Sequence, residues 1–159
     1  MRLDRAIVAA ALLAAGLPAQ AAISCSGSNV ALSLGTYVSF QAAALDSTGI
    51  FSVTCTRVGG PASVTVSVAL GPSGHSGAIA TRRMRLAGGT DTLDYNIYRD
   101  ISRLQVWGNT PGINAVSRVV TVQNNASSTE TFTLFARIDA LQDVRTGQYQ
   151  DSLTVTVQF

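Results

Sequence analysis

Hydrophobic and polar positions alternate with a period of two along most of this chain. Val30, Leu32 and Leu34 are spaced by small or polar residues. Phe51, Val53 and Cys55 alternate with Ser52 and Thr54, and Val64, Val66, Val68 and Leu70 alternate with Thr, Ser and Ala. Leu93, Tyr95 and Ile97 follow, then Val120 and Val122, then Phe132, Leu134, Ala136 and Ile138. Leu153, Val155, Val157 and Phe159 close the chain. Successive side chains of a strand point to opposite faces, so each run predicts a strand with one buried face. The runs are rich in Val and Thr, whose branched side chains suit a half-buried pleated surface. Turn signals separate them: Gly59-Gly60-Pro61, Gly71-Pro72-Ser73-Gly74, Gly88-Gly89, the stretch from Gly108 to Gly112, and Asn124-Asn125. Short strands punctuated in this way predict an all-β sandwich in one domain.

The N-terminus breaks the pattern. Arg2 and Arg5 precede an almost wholly apolar run from Ala6 to Leu17, which ends at Pro18 before the small-x-small triplet Ala19-Gln20-Ala21. That order predicts a signal peptide over residues 1–21, cleaved after Ala21. The apolar run is shorter than the roughly 20 residues that span a bilayer. No later segment is long and apolar enough to cross one, so no stable membrane insertion is expected. The domain then occupies residues 22–159, enough for its own core.

Composition narrows the function. Charged residues make up 13% of the chain, against about 25% in an ordinary soluble domain. Every one of the 11 basic residues is Arg, and codon usage explains that more simply than selection for anion contacts. No concentrated basic face appears, so nucleic acid is not an expected partner. Cys25 and Cys55 are the only two cysteines. In an oxidising compartment an isolated pair reads most simply as a disulfide. Two Cys and one His do not make a four-ligand zinc site without carboxylates.

Candidate chemistry is sparse. His75, the only histidine, lies in the Gly-rich turn Gly71–Gly77 beside Ser73 and Ser76. A hydrolase needs a base held between a nucleophile and an orienting acid, and sequence neighbours on a turn do not supply that. Asp91, Asp94 and Asp100 lack the spacing of a calcium loop and read as solvated carboxylates. Arg82, Arg83 and Arg85 surround Met84, with Arg83 and Arg85 on the opposite strand face from Met84 and Leu86; a solvated edge that discourages wrong pairing is expected ahead of an anion or surface contact. Trp107, ahead of the Gly108–Gly112 loop, is a candidate for surface recognition by stacking on a sugar or an abiotic surface. The alternative is a Trp that caps the core or a subunit interface. Asn125-Ala126-Ser127 fits a glycosylation acceptor, a weak signal. No catalytic residue, metal or cofactor is assigned, and the chain does not read as an enzyme.

The order of short motifs carries a resemblance. Cys25, Leu34-Gly35-x-Tyr37 and Val53-Thr54-Cys55 resemble the start of the spore coat protein U domain. Arg82-x-Met84, Leu93-x-Tyr95-x-Ile97-Tyr98-x-Asp100 and Val106-Trp107-Gly108 resemble its middle. Phe135-Ala136-Arg137-Ile138 and Gly147-x-Tyr149-x-Asp151-x-Leu153-x-Val155-x-Val157 resemble its end. That family is similar to subunits of archaic chaperone–usher pili. The resemblance implies an immunoglobulin-like β-sandwich lacking its last strand, completed first by a periplasmic chaperone and then by a neighbouring pilin-like subunit at an outer-membrane usher. Export through the periplasm to a pilus or coat would follow. Leu153, Val155, Val157 and Phe159 would border the strand-accepting groove and meet the chaperone. After cleavage at Ala21 only Ala22, Ile23 and Ser24 precede Cys25, about 10 Å of extended chain. Such a subunit would accept a strand without donating one, as at a fibre tip. A secreted adhesin or binding module that touches surfaces or glycans through its loops is the alternative.

Overall fold

The computed structural model describes residues 22–159; the predicted signal peptide over residues 1–21 lies outside them. Nine strands and no helix make up the described chain. They are β1 (Ile23–Gly27), β2 (Leu45–Arg57), β3 (Ala62–Leu70), β4 (Arg82–Leu86), β5 (Thr92–Tyr98), β6 (Val116–Val122), β7 (Ser127–Ile138), β8 (Tyr149–Gln150) and β9 (Val155–Gln158). Two antiparallel sheets pack face to face. One has six strands in the order β1-β2-β7-β5-β4-β8, the other three in the order β6-β3-β9.

The period-two runs explain the layers. In β2 the inward set Phe51, Val53 and Cys55 is buried, and it pairs with β7 in register Phe51↔Phe132 and Val53↔Glu130. Val66, Val68 and Leu70 of β3 supply the facing wall, joined by Val120 and Val122 of β6. Outward positions carry hydroxyls that pair across strands, such as Thr54 with Thr129 at 2.9 Å and Ser67 with Ser117 at 2.7 Å. Cys25 lies opposite Cys55 in the β1–β2 register, and the two form a disulfide. It closes a loop of 30 residues, worth roughly 3–4 kcal/mol on a chain-entropy estimate.

Two expectations need correction. Val30, Leu32 and Leu34 alternate but form no ladder: residues 28–44 lie outside any strand, with a turn at Ser39 and Phe40. Alternation supplies a face to bury, and Leu32 and Leu34 do pack against the core, but a ladder also needs a neighbour at hydrogen-bonding distance. Likewise Leu153 packs against the core yet precedes β9, which begins at Val155.

Candidate functional site: an open groove beside the last strand

Six strands on one side and three on the other leave core side chains that the small sheet does not cover. Beside β9 this mismatch opens a groove of about 1530 Å³, larger than the roughly 300–1,000 Å³ typical of a small-molecule pocket. Leu70, Met84, Leu93, Ile97, Leu134 and Ile138 form its apolar floor. One wall is the extended segment 27–39; the other includes Leu153, Val155 and Val157, with the run 144–152 closing an end. One wall follows the chain for about a dozen residues, so the groove is long and narrow in plan and not a compact pocket.

Both walls have backbone to spare. β9 pairs with β3 through Leu70↔Val155 and Val68↔Val157, and no strand lies on its other edge among the described residues. Opposite, residues 29–36 make one hydrogen bond to the body, from Ser47 Oγ to Ser33 O at 2.7 Å. Two free backbone edges thus flank an apolar floor. Phe159, 53% exposed, lies just beyond β9 and does not line the groove.

Buried polar side chains hold the frame. Arg82 has no exposed surface. Its guanidinium donates to Asn96 Oδ1 (2.8 Å), Leu70 O (3.1 Å), Gly71 O (2.9 and 3.2 Å) and Trp107 O (2.8 Å). Burial pulls its pKa below the ordinary arginine value, and the charge near Tyr95 and Asp151 opposes that. Asn96 in turn donates to Ile79 O and Ala80 O. At the groove, Tyr95 Oη donates to Asp151 Oδ2 at 2.7 Å, and Asp151 Oδ1 accepts from Gly74 N at 3.2 Å. Burial, and then the Asp151 hydrogen bond, raises the Tyr95 phenol well above its usual value, so it stays a donor.

The profile of the Spore Coat Protein U domain matches residues 9–156. The chain belongs to this family. Protein U of Myxococcus xanthus is 33% identical over 181 aligned residues, covering 97% of this chain and 95% of that protein. Among solved structures, the fold resembles a chain in the crystal structure of the CsuC–CsuE chaperone–tip adhesion subunit pre-assembly complex from archaic chaperone–usher Csu pili of Acinetobacter baumannii. The TM-score is 0.53 at 20% identity, over 87% of this chain and 40% of that one. At that identity the likeness speaks for the immunoglobulin-like fold, and this chain spans well under half of the solved chain. The Spore Coat Protein U family is a structural coat-protein domain and not an enzyme class.

Several residues that carried the resemblance to the Spore Coat Protein U domain turn out to be ties of the frame. Arg82 and Trp107 belong to one buried network. Asp100 caps its own turn, accepting from Leu104 N and Gln105 N. Gly147 passes so close to Leu86 that a Cβ there would lie 2.3 Å from Leu86 Cδ1. Asp151 joins the groove end to the floor through Tyr95.

Trp107 is a correction. It is 1% exposed, its Nε1 donates to Val68 O at 2.8 Å, and its ring meets Phe132 at 6.4 Å between centroids. A ring enclosed on all sides cannot stack on a sugar or a surface. Its parity within the loop gave no clue, because an isolated antiparallel bridge between Tyr98 and Val106 and the Trp107 N–H to Ile97 O bond hold it against β5, with its indole reaching Val68 O of β3. Asp91 and Asp94, read as solvated carboxylates, also carry ion pairs, Asp94 with 44% of its side chain still exposed. Asp91 receives a bidentate contact from Arg145 (2.6 and 2.8 Å), and Asp94 pairs with Arg83 at 2.7 Å. The Arg145 hydrogen bond holds the Asp91 carboxyl below its usual range. His75 Nε2 lies 4.0 Å from Asp151 Oδ1, while Ser73 Oγ already donates to Arg83 O. That serine is committed to the frame. No cluster of three or more metal-ligating side chains occurs among the described residues.

Asn96 was missed from sequence, and Arg82, read with Arg83 and Arg85 as a solvated edge, is instead fully buried. Arg82 was detectable: two residues before Met84, it shares the inward face of β4.

Proposed function

We propose that this chain is an exported structural subunit of a surface fibre or coat that accepts a β-strand from a partner protein. The observation that carries this reading is the pair of free backbone edges, β9 and residues 29–36, across an apolar groove of about 1530 Å³. An entering strand would hydrogen-bond along these edges and drop alternate apolar side chains onto Leu93, Leu134 and Ile138. That is β-augmentation, with main-chain bonds giving affinity and the floor giving specificity. Leu153, Val155 and Val157 would meet the strand directly, with Phe159 at the exposed end available to a chaperone. A periplasmic chaperone, an outer-membrane usher and neighbouring pilin-like subunits are the proposed partners.

The domain proper is residues 22–159, released from a signal peptide over 1–21. Cleavage after Ala21 would suit a tip subunit, because Ile23 and Ser24 already pair with Arg57 and Thr56 and leave no arm to donate. Mass measurement of the secreted N-terminus checks the cleavage site.

The main test is size-exclusion chromatography of the secreted chain with and without a strand donor. Alone it should aggregate or exchange strands; a synthetic alternating Val/Thr peptide or a co-expressed chaperone should give a soluble, higher-melting complex. A monomer whose melting ignores every donor would overturn the reading.

One observation favours an adhesin role for the same subunit. Ile101, Leu104 and Ile113 are 75%, 82% and 69% exposed, and Arg99 Nη1 donates to Ile113 O, bringing their loops together. Exposed apolar clusters of this kind mark contact surfaces. Replacing all three by Ser should abolish adsorption to an apolar surface without changing the melting point.

A further inference from the structure

We infer that residues 29–36 are a movable wall of the open groove, kept in their resting place by two small contacts, whose release sets how fast an entering strand pairs along them. This role rests on the strand-accepting reading above.

The arm is fastened at both ends and nearly free between them. At its start the Cys25–Cys55 disulfide fixes β1, Ser28 N donates to Ser52 O at 2.8 Å, and Ser52 N donates to Ser28 Oγ at 3.1 Å. Beyond its end Gln142 N donates to Tyr37 Oη at 2.7 Å, Val144 N to Ser39 Oγ at 3.2 Å and Phe40 N to Gln142 O at 3.0 Å. Between these anchors the main chain spends one hydrogen bond, from Ser47 Oγ to Ser33 O. Segments with few protected backbone groups open at low free energy.

The resting position is nevertheless defined. Leu32 lies over Gly49, where a Cβ would stand 2.7 Å from Leu32 Cδ1. A side chain at Gly49 would push the tip of Leu32 aside. Leu34 is half-buried beside it, whereas Val30 is already 38% exposed. The Leu32 seat and the Ser47 bond are therefore the two latches.

A strand entering the groove gives the arm what it lacks. Alternation already turns Leu32 and Leu34 to the core and Ala31 and Ser33 outward, so the arm can join a ladder without turning its apolar residues into water. Those ladder bonds exist only in the occupied state, so the strand favours the paired arm by their full differential contribution. The arm thus changes from the least protected wall to part of the sheet.

Amide exchange by mass spectrometry on the secreted chain tests this, with a synthetic Val/Thr alternating peptide of about ten residues as the entering strand. In the free chain, residues 29–36 should exchange at least about a hundredfold faster than β2 and β7. Ser47→Ala and Leu32→Ser should speed both that exchange and peptide uptake by on the order of tenfold each, as expected from losing one modest contact. The exchange rate of β7 should not change. With peptide bound, the arm should become as protected as β9. Uptake with the arm already as protected as β2, or an uptake rate indifferent to both substitutions, would overturn the movable wall while leaving strand acceptance intact. No uptake in any variant would overturn strand acceptance and this role with it.

Discussion

The two flanks of the sandwich are made from the same kind of sequence and end up opposite in character. On the flank where β6 faces β7, the layers are sealed. Phe132 and Trp107 meet in the core, Arg118 lies 5.7 Å above the Phe132 ring, and Arg118 pairs with Glu130 across the gap. On the flank where β9 ends the small sheet, equally apolar alternation leaves Val155, Val157 and Leu153 half-buried along an open groove. Local β-propensity does not separate these two outcomes. What differs is the count of strands available to cover the floor, and the sealed flank teaches what the open one is missing.

Arg82 bolts the two sheets together, and its loss should have the largest effect. Arg82→Ala would take the guanidinium donor from the Leu70, Gly71 and Trp107 carbonyls and leave Asn96 Oδ1 with the Ile97 N–H alone. With each orphaned group costing ~1–3 kcal/mol, the total should be about 5 kcal/mol or more. Urea unfolding of the oxidised protein measures it, and a loss below about 1 kcal/mol would show that water replaces the guanidinium.

Paired truncations sharpen the contrast between flanks. Phe132→Ala on the sealed side should cost about 3–5 kcal/mol, as for a fully enclosed aromatic. Val157→Ala on the open side should cost about 1 kcal/mol, since half of its surface transfer is unrealised without a partner. Val157→Ala should instead weaken binding of an added strand. Equal losses in the two variants would mean that the flanks are packed alike. Removing the disulfide with Cys25→Ser and Cys55→Ser should fall between them, at roughly 3–4 kcal/mol. It should also loosen the root of the groove wall, seen as faster amide exchange at residues 28–34.

Surface ion pairs should contribute least on either flank. The Asp46 carboxyl is held below its usual range, first by the Arg137 hydrogen bond and then by the Arg103 charge. A depressed carboxylate gives its stabilisation in full above the unfolded-state value and loses it as pH falls through the folded-state value. Asp46 is well exposed, so solvent screening limits that contribution to a few tenths of a kcal/mol. Asp46→Asn should therefore lower the melting point slightly at pH 7 and converge with the parent near pH 2.

By itself the sequence determined the layers: which residues of β2, β3, β5 and β7 face inward, and that Cys25 and Cys55 pair. Period-two alternation fixes the face of a side chain because consecutive Cβ atoms project to opposite sides. The family was also legible, from motifs whose spacing survives in order along the chain. Only the tertiary structure decided which alternating runs become strands. The run around Leu32 has the pattern and no neighbour, whereas the run around Val120 has a shorter pattern and pairs fully with β3. It likewise decided that Trp107 is a core residue, because the Tyr98–Val106 bridge and not a local period places it there. The groove follows from the same cause. Hydrogen-bonding partners are a property of the whole sheet, and alternation along one strand carries no information about whether the next strand exists.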